Sequence, residues 1–133
     1  MKGLQYVLMV VVSLVVLNVW FFRFNQPTIF RGGEASTMVE EFAVYGLSEP
    51  IVYVIGGLKV IVALVLLIGF FKEKVIVPSA LVMAVLMLGA LFMHFKVADE
   101  IIKFLPAGLM LLFSGGIFYL QIKINSSKKT LKS

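Results

Sequence analysis

The chain has 133 residues, of which 61% are hydrophobic and only 14% carry a formal charge. This is more apolar surface than one small water-soluble core can bury, so the composition excludes an ordinary soluble domain and favours a membrane protein. The sequence contains no cysteine, which excludes disulfides, thiolate metal sites and a dithiol relay within this chain. The net charge of +5 does not indicate nucleic-acid binding, because the basic residues form short clusters between apolar runs.

Four apolar runs are each long enough to cross the roughly 30 Å hydrocarbon core of a bilayer as a helix. They lie at about residues 3–22, 51–71, 75–95 and 104–121. The first run is too long for a typical signal peptide, and no A-x-A-like cleavage site follows it, so we interpret it as a membrane helix. The predicted fold is all-α, a four-transmembrane-helix bundle in one domain over residues 1–122. A basic tail over residues 123–133 is polar enough to predict disorder.

The long connection between the first two runs predicts a short amphipathic helix. Thr37 followed by Glu40 fits a capping box, and Gly46 can end the helix in the left-handed conformation. Apolar residues recur on one helical face between them, at Met38, Phe42 and Tyr45. Two roles stay open for this helix: a connector that lies at the membrane interface, and a lid over a binding site.

The other connections are short, and their charges predict the orientation of the chain. Only Lys72, Glu73 and Lys74 separate the second run from the third, so these runs form an antiparallel hairpin. The basic residues on the side of both termini are Lys2, Lys72, Lys74, Lys123, Lys128, Lys129 and Lys132. The opposite side has four basic residues, Arg23, Arg31, Lys96 and Lys103, against six acids. The positive-inside rule therefore predicts a plasma (inner) membrane protein with both termini in the cytoplasm.

The second run contains one formal charge, Lys59, which is the main functional signal in the sequence. At the helical rise it lies roughly 12 Å from Ile51, too deep to reach water cheaply without a partner or a water-filled pocket. One interpretation is structural, with the amine reaching outward or donating to carbonyls between helices. The others are a role in holding a ligand or quinone or in handling protons, and a contact with a partner subunit.

Three further polar residues fall in the same half of the predicted bundle as Lys59. His94 lies near the end of the third helix, Asp99 follows five residues later as the acid expected to face the Lys59 amine, and Asn18 lies about one turn before Arg23. Such an imidazole or amide either bonds between helices or lines a pocket. His94 is the sole histidine, and no second ligand of suitable type lies at helical spacing, so we predict no metal site. The candidate pocket lining is therefore Lys59, His94, Asp99 and Asn18.

Three segments resemble the DoxX-like family of small four-helix integral membrane proteins: MVEEFAVYGLSEP, GGLKVIVALVLLIGFF and ALVMAVLMLGALFMHFKVADE. The family pattern has a short helix before the second span, a Gly-x-Lys or Gly-x-Glu within that span, and a His followed by Gly-Asp after the third. The matching positions here are Gly57, Lys59, His94 and Asp99. The resemblance covers roughly residues 38–119 and departs from the pattern at Ala98, where the family often has glycine.

The resemblance implies a four-helix fold and allows several roles. Some DoxX proteins are subunits of membrane thiosulfate:quinone oxidoreductase systems, and relatives in another branch act as assembly factors for membrane receptors. The absence of cysteine weakens sulfur chemistry by this chain alone and leaves quinone binding open.

We therefore expect an accessory or ligand-binding membrane protein with a polar pocket for a quinone or lipid-like molecule. The alternatives are a structural or assembly partner of a larger membrane complex, and the membrane subunit of a quinone-linked oxidoreductase. The expected partners are the lipid bilayer, an apolar small molecule, and either a partner subunit or a second copy of the chain. A homodimer is compatible with the small residues on the third and fourth helices. No catalytic residue is assigned.

Overall fold

The computed structural model describes residues 2–132, with the backbone alone for Lys132. Within these residues every regular element is helical, namely α1 (Lys2–Leu17), α2 (Met38–Val44), α3 (Glu49–Ile68), α4 (Ile76–Lys96) and α5 (Leu105–Lys132). A π-helical turn, Asn18–Phe22, continues α1, and 3-10 turns at Glu73–Val75 and Ile101–Phe104 precede α4 and α5. The segments built on α1, α3, α4 and α5 are long and apolar enough to cross a membrane, which confirms the predicted all-α bundle with four spans.

The four long helices form a closed ring in which α1 contacts α3 and α5, and α4 contacts the same two helices. Their shared interior is apolar, with Met9, Leu66, Met83 and Ile117 fully buried. The outward faces are apolar as well: Leu14, Ile61, Val85 and Leu112 are among the exposed side chains. A bundle that is apolar both inside and outside is suited to hydrocarbon surroundings, where lipid tails cover the outer faces.

α2 has the capping and the buried face that the sequence predicts. The Thr37 Oγ1 accepts a hydrogen bond from the backbone N–H of Glu40 at 3.2 Å, and Gly46, with φ of +83°, follows the last turn. The apolar face packs against side chains from the end of α1, the start of α3 and the end of α4. α2 therefore covers one end of the bundle, which we call the capped end.

The opposite end, which we call the basal end, consists of the start of α1, the α3–α4 turn and the end of α5. The buried side chains of Gln5 and Gln121 meet there, and the Gln5 Nε2 donates to the Gln121 Oε1 at 2.6 Å. Higher in the bundle, the buried Ser13 hydroxyl donates to the Ala63 carbonyl at 3.1 Å. These bonds satisfy polar groups that would be costly to leave unpaired in hydrocarbon.

The structure corrects the prediction for the tail, because α5 continues to Lys132 without a break. Gln121 and Lys128 both donate to the Glu73 carboxylate, at 2.7 and 2.6 Å, and these bonds hold α5 against the α3–α4 turn. No glycine or proline occurs in the second half of α5, so the backbone has no local reason to leave the helix. Polar composition alone was therefore a poor guide to order in this segment.

The turn after α4 places a non-glycine residue in the left-handed region. Ala98 has φ of +55°, its N–H donates to the Phe95 carbonyl at 3.1 Å, and the Asp99 N–H donates to the His94 carbonyl at 3.0 Å. This pair of bonds is a Schellman motif, whose left-handed position is usually glycine because a Cβ there is strained. The motif turns the chain so that Asp99 comes back beside the last turn of α4.

We predict that Ala98→Gly stabilises the protein by about 0.5–1 kcal/mol, because glycine adopts this backbone conformation without a Cβ penalty. The measurement is the free energy of unfolding in mixed detergent micelles. The control is Ala43→Gly, at an exposed position inside α2, which should lose roughly 0.5–1 kcal/mol through helix propensity. Destabilisation by both substitutions would show that the left-handed turn carries no strain.

Candidate functional site

A cavity of about 680 Å³ lies inside the capped end, between the long helices and α2. Its volume falls in the range typical of small-molecule sites, roughly 300–1,000 Å³. Most of the wall is apolar and includes Val16, Met87 and Met110, while Met38 and Phe42 of α2 form part of its cover. Since the buried face of α2 lines the cavity, the structure favours the lid over the simple connector for this helix.

Polar side chains gather in the wall of this apolar cavity. They are Asn18, Arg23, Thr28, Arg31, Glu41, Tyr45, Lys59, His94 and Lys103. They come from the end of α1, the connection to α2, α2 itself, α3, the end of α4 and the turn before α5. Of the four residues that the sequence analysis singled out, the wall includes Lys59, His94 and Asn18.

Lys59 lies on the cavity wall beside the only tryptophan of the chain. Its Nζ is 5.5 Å from the centre of the Trp20 ring, within the range of a cation–π interaction. A Cβ at Gly56, one turn earlier in α3, would collide with the same ring, so this glycine makes room for the indole. No described carboxylate lies within 4 Å of the Lys59 amine. The amine therefore has an aromatic neighbour and no ion pair, while Glu41 acts on it electrostatically from a longer distance.

Asp99, the acid expected to face Lys59, is not within 4 Å of that amine and pairs with His94 instead. The His94 Nδ1 lies 2.7 Å from the Asp99 Oδ2, and because an ionised carboxylate only accepts, the ring nitrogen donates. The other Asp99 oxygen accepts from the Gly33 N–H at 2.9 Å and lies 3.8 Å from the Lys103 Nζ. Asp99 is not among the lining residues, so it acts behind His94 rather than in the cavity.

Opposing influences act on the Asp99 carboxyl, which is outside the membrane-spanning segments. Burial raises its pKa, whereas the hydrogen bonds from His94 and the Gly33 N–H and the charges of His94 and Lys103 lower it. The net effect is a pKa below the usual value for aspartate. The bonds that hold the carboxylate therefore outweigh its desolvation.

A second ion pair, which the sequence analysis missed, is linked to His94 through the Tyr45 hydroxyl. The Arg31 guanidinium donates to the Glu41 Oε2 at 3.1 Å and to the carbonyl oxygens of Arg23 and Gln26 at 2.6 and 2.8 Å. The Glu41 Oε1 accepts from the Tyr45 hydroxyl at 2.6 Å. Burial raises the pKa of the Tyr45 phenol, and the Glu41 charge raises it further, so this hydroxyl stays protonated.

One sequence signal could have revealed this pair. Glu41 falls at i+3 from Met38 and at i−4 from Tyr45, so it shares the apolar face of α2 and had to be buried with a partner. The identity of that partner depends on the conformation of the connection, because Arg31 is ten residues away and outside any regular element.

The two pairs join into one network across the cover of the cavity. The Tyr45 hydroxyl lies 3.4–3.5 Å from the two ring nitrogens of His94, and the Lys103 Nζ donates to the Gly33 carbonyl. Such a chain of carboxylate, phenol and imidazole fixes the side chains of the cover relative to one another. The fully buried Arg31 Nε has no hydrogen-bond partner among the described residues.

For Asn18 the sequence left open a bond between helices and a place in the pocket lining. The residue begins the π-helical turn, its side chain is exposed, and no hydrogen bond joins that side chain to another described residue. Its amide lines the cavity mouth instead.

Because Asp99 has a lowered pKa in the folded state, its ionised form contributes stability that is fully present above about pH 4, its unfolded pKa. This contribution is lost as the pH falls through the folded pKa. We predict that Asp99→Asn lowers the free energy of unfolding at pH 7 and that its difference from the wild type shrinks below about pH 4. Unfolding in mixed micelles at several pH values measures this difference.

The matched control is Glu100→Gln, which removes an exposed acid with no described ion pair from the next position. It should change stability little at any of these pH values. A constant difference between Asp99→Asn and the wild type from pH 7 to pH 3 would contradict the account of this carboxylate.

Comparisons with known proteins identify the family of this chain. A search of curated proteins and a search of solved structures each found no significant match. A sequence model of the DoxX-like family matches residues 7–116, a span that begins inside α1, includes α2 to α4 and the cavity cover, and ends within the first half of α5. The resemblance noted in the sequence is therefore confirmed, and the chain belongs to the DoxX-like family.

Proposed function

We propose that the protein is an accessory, ligand-binding membrane protein whose cavity holds an apolar molecule with a polar head, such as a quinone or a lipid. The observation that carries this proposal is the cavity of about 680 Å³, whose wall is mostly apolar but includes Lys59, His94, Tyr45 and Arg31. Apolar walls with a few placed polar groups are typical of sites that bind and orient small molecules. The cover formed by α2 would separate such a ligand from water.

The donors in the cavity suit a quinone head. Quinone carbonyl oxygens accept hydrogen bonds, and the Arg31 Nε is a buried donor without a described partner. The Lys59 ammonium, beside the Trp20 ring, offers a second donor. A bound quinone would supply electron-transfer chemistry, while Arg31 and Lys59 would hold its oxygens and His94 would hold a proton beside them.

The charges favour an orientation for this site. The basal end has the excess of lysines, including Lys72, Lys74 and Lys128, so we place it on the cytoplasmic side of the plasma (inner) membrane. The capped end then faces outward, and the cavity opens in the outer half of the bilayer.

We predict that the protein extracted in mild detergent retains a small molecule and that Gly89→Leu releases it. Gly89 lines the cavity and a Cβ there meets no atom within 4 Å, so a leucine side chain would occupy the ligand volume. Gly115→Leu is the matched control, because Gly115 has the same free space but is not in the cavity wall. It should retain the ligand as the wild type does. Native mass spectrometry reports bound molecules and bound subunits in the same spectrum.

The rival roles give different spectra. An assembly partner, a homodimer or an oxidoreductase subunit would leave detergent with a stoichiometric second chain and no small molecule. That spectrum, or equal retention of the ligand by Gly89→Leu and the wild type, would contradict the ligand-binding proposal.

A further inference from the structure

We infer that the molecule bound in the cavity is an acidic amphiphile, with a carboxylate or phosphate head and a hydrocarbon tail. This inference rests on the ligand-binding role proposed above and names the chemical class of the ligand. It follows from the charges in the cavity wall, from the Arg31 Nε, a hydrogen-bond donor without a described partner, and from the apolar surface of the same wall.

Positive charge is in excess in the cavity wall. The charged lining residues, apart from His94, are Arg23, Arg31, Lys59, Lys103 and Glu41, four cations and one anion. Two of the cations have a carboxylate partner, since Arg31 pairs with Glu41 at 3.1 Å and Lys103 lies 3.8 Å from Asp99. His94 shares the Asp99 carboxylate as well.

The remaining two cations, Arg23 and Lys59, have no described carboxylate within 4 Å. Lys59 is ten residues into α3, which places it about 15 Å along the helix from Glu49. A cation at that depth is costly, and the Trp20 ring compensates only part of the lost hydration. Glu41 acts on Lys59 only from beyond ion-pair distance and is itself bonded to Arg31, so an anion brought by a ligand would supply a counter-charge at close range.

The Arg31 guanidinium belongs to the cavity wall and has one unused donor, the buried Nε, which a ligand oxygen would reach after the side chain shifts. Its side chain is only 2% exposed, its two terminal nitrogens donate to Glu41 and to backbone carbonyls, and its Nε has no described partner. A guanidinium edge is well matched to carboxylate and phosphate oxygens. The one lining carboxylate, Glu41, already accepts from Arg31, Tyr45 and the Gly32 N–H, so its charge is largely compensated.

The apolar part of the cavity wall requires a ligand with a hydrocarbon tail. Side chains such as Leu14, Leu86, Met87 and Met110 line the cavity with hydrocarbon surface that a free phosphate ion would leave uncovered. A neutral lipid or quinone would cover this surface but leave Arg23 and Lys59 without a counter-charge. An acidic head on an acyl chain satisfies both parts of the wall.

Trp20 provides a direct test, because it is the only tryptophan in the chain and it lines the cavity. The probe is 9,10-dibromostearate, whose bromine atoms quench indole fluorescence at short range, added to the full chain in phosphatidylcholine nanodiscs. Its methyl ester has the same bromines and chain without the charge. We expect saturable quenching by the acid, and the ester should need at least about tenfold higher concentration for half-maximal quenching.

Three substitutions distinguish the effect of a charge in the cavity wall on binding of the acid from the effect of the protein's overall charge. Lys59→Met and Arg23→Gln should each raise the half-maximal concentration of the acid by about tenfold and leave that of the ester unchanged. Lys74→Met, which removes one exposed lysine from the basal end, should change neither. Arg23 is exposed, so its substitution keeps the test valid even where loss of Lys59 disturbs folding.

Other outcomes would overturn the inference in distinguishable ways. Equal half-maximal concentrations for acid and ester, both abolished by Gly89→Leu, would show a cavity for neutral amphiphiles and leave the proposed function intact. Displacement of the acid by millimolar inorganic phosphate would show an anion site that needs no tail. No saturable quenching by either probe would overturn this inference and the proposed function together.

Discussion

The capped end depends on one constraint: a charge removed from water must be paired. Arg31 and Glu41 meet this constraint together, with side chains that are only 2% and 11% exposed. Arg31 also ties down two carbonyls of the connection after α1, while Glu41 holds the Tyr45 hydroxyl. The pair therefore fixes α2 above the cavity and places Tyr45 beside His94. Removing one member would leave a buried charge, a change that typically costs about 3–5 kcal/mol.

At the basal end, the buried polar groups are neutral amides that pair with each other, and the ion pair lies at the surface. Neutral amides pair between α1 and α5, and Glu73 at the α3–α4 turn binds Lys128 of α5 at the surface. These contacts join the helices directly. At the capped end the polar groups belong largely to α2 and to the connections, which stand over the helix ends. This difference explains why the open volume lies beneath α2.

The parts of the fold that follow local rules could be predicted from the sequence. Apolar length gives the four spans, and the Thr37 cap and Gly46 give the ends of α2. The burial of Glu41 could also have been predicted from its place on the apolar face of α2, but its partner Arg31 could not, because that pairing depends on how an irregular connection folds back on α2. The same limit applies to Asp99, which contacts His94 from behind instead of lining the cavity. The order of the last helix depends on contacts of Gln121 and Lys128 with Glu73, which lies 48 and 55 residues earlier in the chain. Amino-acid composition does not record such contacts.

The function proposed here adds a ligand to this arrangement of charges. The chain pairs Arg31 and Lys103 with carboxylates and leaves Lys59 and Arg23 without an ion pair, so under this proposal the polar cover and the apolar wall would act on one bound molecule. In this view the DoxX-like scaffold positions a ligand, and any catalysis that uses the ligand needs chemistry supplied by the ligand itself or by a partner.

The most direct measurement of the central claim is a double-mutant cycle on Arg31→Met and Glu41→Gln, with the free energy of unfolding determined in mixed micelles. If the pair organises the capped end, each single substitution destabilises the protein, and the double variant recovers a coupling energy of at least about 2 kcal/mol. Single effects that add to within about 0.5 kcal/mol would contradict the account, because the two side chains would then act independently.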